Sequence, residues 1–160
     1  MTSNVSVAMD PSVPPSVGVR NRRVNRPNSR MMLTMAGVCG ENTAMEGKVA
    51  LFAFNGDPMC FVHVLLNALD LHATGLETAV IIEGSATGLI GGLAAADHPH
   101  HELYRKMKDE GLIDCVCQAC AHKMGSLEEA RDQGLPLCND MSGHPSMSRY
   151  MEQGYTIVTF

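Results

Sequence analysis

Three short apolar runs, set apart by helix-compatible stretches, constrain this chain more than any other feature. Residues 48–54, 77–83 and 112–117 are dominated by Val, Ile, Leu, Phe and Ala, and turn-forming residues follow the first two. Runs of this length that are apolar on both faces read as buried strands. Between the first and second lies a segment opening Asp57-Pro58, with Asp57 as N-cap and Pro58 at the first helical position. It predicts a helix from Pro58 to about His72. His63, Asn67 and Asp70 form its solvent stripe, and Gly75 stops it. Residues 84–96 are rich in small side chains and predict a loop followed by a poor helix.

The second half repeats the pattern. Residues 102–110 predict an amphipathic helix with Glu102 and Lys106 as an i,i+4 pair, ended by Gly111. Residues 118–124 predict a short helix. Ser126 and Glu129 form a capping box that opens another, which Gly134 stops. Residues 135–138 predict a brief strand, with Pro136 marking a strand start or sheet edge. Pro145 is expected in the first turn of a last helix, closed by Gly154, and residues 155–160 predict a fifth strand. Alternating strands and helices with short connections give parallel strands joined by right-handed crossovers. The expected fold is a three-layer α/β/α sandwich with a five-stranded, mainly parallel sheet over residues 47–160. Residues 1–46 read as a disordered extension, punctuated by Pro11, Pro14, Pro15 and Pro27. Met31, Met32, Met35 and Met45 are each an alternative start.

Charge and composition narrow the function. The leading segment carries Arg20, Arg22, Arg23, Arg26 and Arg30, while the remainder is acidic and the whole chain has a formal charge of −5. An acidic body with few aromatic residues and no tryptophan excludes a phosphate-tracking or base-stacking nucleic-acid surface. No stretch approaches the roughly 20 apolar residues that span a bilayer, and a secretory signal is missing. The expected location is the cytoplasm, where six cysteines serve as thiols, metal ligands or redox groups rather than as a disulfide framework.

Three of those cysteines, Cys115, Cys117 and Cys120, make a C-x-C-x-x-C array where the third strand gives way to a helix. A sulfur at that turn meets unpaired helix N–H groups, which favour the thiolate. In parallel sheets, reactive groups gather beyond the carboxyl ends of the strands. Residues 55–57, 83–85, 117–120 and 138–140, with His144, are expected to share that edge. Three readings of the array stand open. Cys117 is a nucleophilic thiolate that passes sulfane sulfur, with Cys120 assisting or resolving. Alternatively, Cys115, Cys117 and Cys120 bind zinc together with Cys138 or His122. In the third reading the cysteines pack as small hydrophobes, which is the better account of Cys115 and Cys60. His98, His100 and His101 read as a solvated helix entry, and His144 as a cap or a site residue. The glycines at 84–92 fit neither a phosphate loop nor a dinucleotide turn.

The chain resembles the DsrE/DsrF-like family, which includes the TusD-type sulfur-relay subunits. The resemblance rests on the opening strand 49–54, the helix with Asn67-Ala-Leu69, the strand 79–83 and, above all, Cys117-Gln-Ala-Cys-Ala-His-Lys-Met-Gly125. It implies an α/β/α sandwich whose active cysteine ends this strand, the position of Cys117, with Cys120 matching a second cysteine of some relatives. It further implies a persulfide-carrying sulfurtransferase with no cofactor and no resident metal. Sulfur donor and acceptor proteins would be its partners, and homotrimers or hexamers its assembly. The alternative is a non-catalytic oligomeric binding module of the same fold, its cysteines structural or zinc-binding.

Overall fold

A computed structural model describes residues 46–160. The extension expected over residues 1–46 falls, apart from Glu46, outside the described residues. Five strands form one sheet: β1 (Lys48–Ala53), β2 (Glu77–Ile82), β3 (Ile113–Cys117), β4 (Leu137–Cys138) and β5 (Tyr155–Thr159). Their order is β4-β3-β2-β1-β5, and every pairing is parallel. The helices are α1 (Pro58–Ala73), α2 (Ile90–Ala94), α3 (His101–Asp109), α4 (Gln118–Met124), α5 (Leu127–Asp132) and α6 (Met147–Glu152). A 3-10 segment, Gly84–Leu89, precedes α2.

Strand order and handedness together decide where the helices lie. From β1 to β4 the chain steps across the sheet in one direction, so right-handed crossovers put α1–α5 on one face. The step from β4 to β5 runs back across the sheet, which sends α6 to the other face. The two cores follow this division. Leu51, Ala53, Val80, Ile82 and Val116 pack against Phe61, Val64, Leu65, Ala68, Tyr104, Met107, Ala121 and Ala130. On the opposite face Ala50, Phe52, Ala79, Ile81, Cys115 and Cys138 pack against Tyr150. The result is the expected three-layer α/β fold.

Local signals held where they depend only on neighbouring residues. Asp57 caps α1 by accepting hydrogen bonds from the N–H groups of Met59 and Cys60 at 2.7 and 3.2 Å. His63, Asn67 and Asp70 are exposed.

Other expectations require correction. Ser126 does not form a capping box. It lies at φ −105°, ψ 11°, away from the extended conformation a cap requires, because its N–H is tied to the Ala121 carbonyl at 2.9 Å. Its hydroxyl is buried without a partner among the described residues. Glu102 pairs with Arg105 at 2.8 Å rather than with Lys106, which reaches Glu110 at 3.8 Å. Pro145 stands before α6, whose N-cap is Ser146. The preceding segment is used instead in a small antiparallel bridge between Met141 and His144. β4 is only two residues long, and the Pro136 carbonyl accepts the Val116 N–H just before it begins.

Candidate functional site

The chain leaves β3 toward α4 on one face and leaves β4 toward α6 on the other. Diverging connections open a crevice beyond the carboxyl ends of two neighbouring strands, the usual location of a site in an open parallel sheet. Four side chains converge here: Glu83 after β2, Cys117 at the end of β3, Cys120 in the first turn of α4, and His144 in the loop before α6. One ligand-type atom from each lies within 4.8 Å of the others. His144 Nδ1 is central, at 3.2 Å from Cys117 Sγ, 3.7 Å from Cys120 Sγ and 3.2 Å from Glu83 Oε1.

Each group is placed by its own local structure. Cys117 is the N-cap of α4, and its sulfur accepts the Cys120 N–H at 3.4 Å. Glu83 is held by a close approach of the β1 and β2 ends. The Glu83 N–H donates to the Ala53 carbonyl at 2.8 Å, and Ser85 Oγ bridges the Phe54 carbonyl and the Gly56 N–H. Gly84 is required in this approach. Its φ is +58°, and a Cβ would come within 2.8 Å of the Phe54 carbonyl oxygen. His144 is carried by the Met141–His144 bridge, and the neighbouring Gly143 carbonyl accepts the Ala119 N–H at 3.0 Å. That bond locks the histidine loop onto the first turn of α4.

The electrostatics overturn one expectation. Cys117 was expected to present a reachable thiol of lowered pKa at the strand-to-helix turn. Its side chain is instead fully buried. Burial pushes the thiol up to about 12; the bond from the Cys120 N–H opposes this only in part, while the Cys120 side chain and the charge of Glu83 add to it. Cys120 is partly exposed, so it is the member of the pair open to solvent. Glu83 is held above the usual carboxylate range because burial outweighs its bond to, and attraction by, His144. His144 Nδ1 faces two sulfurs and a carboxylate but can share at most one proton among them.

The other sequence candidates lie elsewhere. Cys115 and Cys138 are joined as a disulfide between neighbouring strands, with their Cα atoms 5.7 Å apart. This corrects the expectation that the cysteines are thiols, ligands or redox groups rather than disulfides, replaces that of Cys115 as a packed thiol, and removes both residues from any zinc set. Cys138 is in register with Cys117, so it reaches Cys115 diagonally across the two strands, at a Cα separation within the span a disulfide bridges. His122 is exposed and, with Gln118, Ala119, Leu127, Asn139 and Gly143, lines a depression of about 390 Å³. It does not join the Cys117 cluster. Cys60, expected to pack as a small hydrophobe, is instead exposed at the N-terminal turn of α1, and Asn55 donates to its sulfur at 3.5 Å. Among the described residues no helix is long and apolar enough to cross a membrane. Sequence reasoning placed Glu83 and His144 at the correct edge without seeing that they meet the two thiols. The Glu at the end of a buried strand was the available signal, since a charge there needs a partner.

The fold and site define a three-layer α/β domain with a thiol, imidazole and carboxylate cluster beyond β2, β3 and β4. A solved structure supports the architecture: a conserved protein of unknown function from Bacteroides thetaiotaomicron matches with a TM-score of 0.51 at 18% identity, covering 71% of this chain and 94% of its own. No protein-family model matches the chain. The uncharacterized protein MJ0733 of Methanocaldococcus jannaschii is 36% identical over 97 residues, which cover 61% of this chain and 77% of that protein. The chain belongs to the family of that protein. An uncharacterized protein of Archaeoglobus fulgidus is 49% identical over 37 residues, which are 23% of this chain and the whole of that protein.

Proposed function

We propose that the domain carries sulfane sulfur as a persulfide on the Cys117–Cys120 pair, with Cys120 the sulfur that meets the donor. The carrying observation is the placement of two thiols at one strand-to-helix turn, both within 3.7 Å of a single imidazole nitrogen. The resemblance of residues 117–125 to the DsrE/DsrF-like motif supports the same chemistry. The Cys120 thiol gives its proton to His144, and the thiolate attacks the outer sulfur of a donor persulfide. The donor S–S bond breaks, the donor leaves as a thiol after taking up a proton, and Cys120 holds the added sulfur. An acceptor thiolate then removes it, restoring the Cys120 thiolate.

In this reading Cys117 stands behind Cys120, not in front of it. Its role is positional: buried at the strand end, its sulfur accepts the Cys120 N–H at 3.4 Å and stands beside His144 Nδ1 while Cys120 carries the sulfur. Sulfur donor and acceptor proteins in the cytoplasm are the implied partners. Homo-oligomers are also implied, and the outer edge of β5, unpaired among the described residues, and the exposed Leu66 and Val158 leave surface for such contacts.

Mass spectrometry after incubation with a persulfide donor tests the carrier. One added sulfur is expected on the wild-type chain and none on Cys120→Ser. Sulfur that never adds, or that persists in Cys117→Ser/Cys120→Ser, refutes the reading.

A further inference from the structure

The same crevice has a second property that sulfur transfer does not require. We propose that Glu83, Cys117, Cys120 and His144 bind one thiophilic divalent cation, Zn2+ by preference, through two sulfurs, one nitrogen and one oxygen. The inference goes beyond the carrier reading and does not rest on it.

Geometry comes first. In a tetrahedral zinc site with metal–sulfur bonds of about 2.3 Å and metal–nitrogen or metal–oxygen bonds of about 2.0–2.2 Å, adjacent ligand atoms stand roughly 3.3–3.8 Å apart. The three separations measured from His144 Nδ1 are 3.2, 3.7 and 3.2 Å, close to three edges of that polyhedron, and the other three lie within 4.8 Å. The donor types agree, because thiolate with imidazole selects zinc over the hard cations that oxygen sets hold.

Hydrogen-bond accounting points the same way. Two sulfurs and a carboxylate oxygen surround one nitrogen that can share at most one proton, and Cys117 Sγ otherwise donates only a long bond of 3.6 Å to the Gly143 carbonyl. A cation at the centre contacts all four groups at once. Binding releases the two thiol protons to solvent and leaves two thiolates, one carboxylate and a neutral imidazole around the ion. The outer contacts suit this state. The Cys120 N–H already donates to Cys117 Sγ, and the Ala119 N–H bond to Gly143 holds the histidine loop at the first turn of α4. This set differs from the one expected on sequence, since Cys115 and Cys138 are bonded to each other and His122 points elsewhere.

Titration of the chelator-stripped full chain with Co2+ under anaerobic conditions, with Cys117 and Cys120 as free thiols and the Cys115–Cys138 bond verified intact by mass, tests the site. The expected result is one equivalent bound, with the intense visible bands of tetrahedral cobalt and a sulfur-to-cobalt charge-transfer band, all bleached by one equivalent of Zn2+. Cys120→Ser and His144→Ala alter partly exposed residues and should each weaken binding at least about tenfold, no less than the loss of an outer-sphere partner. Circular dichroism checks that both variants fold. Absence of saturable one-to-one binding overturns the site, as does unchanged binding in folded Cys120→Ser or His144→Ala. Sulfur loading is scored separately on metal-free protein. A chain that loads sulfur yet binds no Co2+ overturns the cation site alone. One that binds Co2+ through these residues yet never loads sulfur supports the cation site and refutes only the carrier.

Discussion

The burial of Cys117 makes a quantitative prediction about its reactivity. At pH 8 a thiol whose pKa stands at about 12 is ionised in roughly one molecule in 10,000. An ordinary exposed thiol, with a pKa near 8.5, is about one quarter ionised at that pH. The deficit in thiolate is thus on the order of 2,000-fold. The more basic thiolate is also the better nucleophile. With a Brønsted slope of about 0.4–0.5, the difference in pKa returns a factor of roughly 25–55. Ionisation wins, and Cys117 in the folded, metal-free protein should be alkylated roughly 40–100-fold more slowly than in the denatured chain. Steric shielding slows it further. Partial labelling with iodoacetamide in the presence of a chelator, with peptide mass spectrometry of matched folded and denatured samples, measures the ratio. The folded rate should rise about tenfold per pH unit without levelling between pH 8 and 10. A plateau by pH 9, or a folded rate within threefold of the denatured one, would show that burial does not control this sulfur.

Three further outcomes follow from other parts of the molecule. Ser126→Ala should be neutral or slightly stabilising in denaturant unfolding, because the hydroxyl is buried without a partner among the described residues; a loss of about 1 kcal/mol, as for a working N-cap, would restore the capping box. Gly84→Ala should cost about 1–3 kcal/mol in the same assay, from its positive φ and the contact with the Phe54 carbonyl, and a cost under about 0.5 kcal/mol would contradict the close approach of the two loops. For Glu83→Gln in metal-free protein, the carboxyl is held above its usual range. A raised folded pKa contributes stability that is present below the unfolded value and is lost as pH rises through the folded value. The variant should therefore match or exceed wild type in Tm at pH 7 and lose that advantage by about pH 4, and an advantage that grows toward acid would invert the sign.

Much of the architecture was readable because it depends on local composition. The runs around Leu51, Val80 and Val116 are apolar on both faces, and only a doubly covered parallel sheet uses such runs. Asp57-Pro58, Gly75 and Gly111 set helix ends by chemistry confined to a few residues. What the sequence could not show depends on contacts distant along the chain. Ser126-x-x-Glu129 satisfies the capping pattern, yet the turn after Gly125 consumes the Ser126 N–H and fixes the wrong ψ. Pro145 reads as a helix start, but the Met141–His144 bridge takes that segment first. At the site, the cysteine motif was visible as a cluster in sequence. Glu83 and His144 are separated by 61 positions and meet only because β2 and β3 are neighbours and β4 follows at the edge. The setting of Cys117 was misjudged for a related reason: a helix N-terminus acts locally, whereas burial comes from the whole crevice.

The bond between Cys115 and Cys138 spans 23 positions, and α4, α5, Cys117 and Cys120 all lie inside the closed segment. Chain-entropy arguments value such a ring at about 3 kcal/mol against unfolding. His144 follows the closing point and lies outside it, on a loop tied to the ring by the Ala119 N–H bond to the Gly143 carbonyl. Partial opening of the molecule therefore has a preferred seam. The imidazole swings away while the two thiols remain neighbours, and a protease cut within residues 118–136 leaves two fragments that part only after reduction.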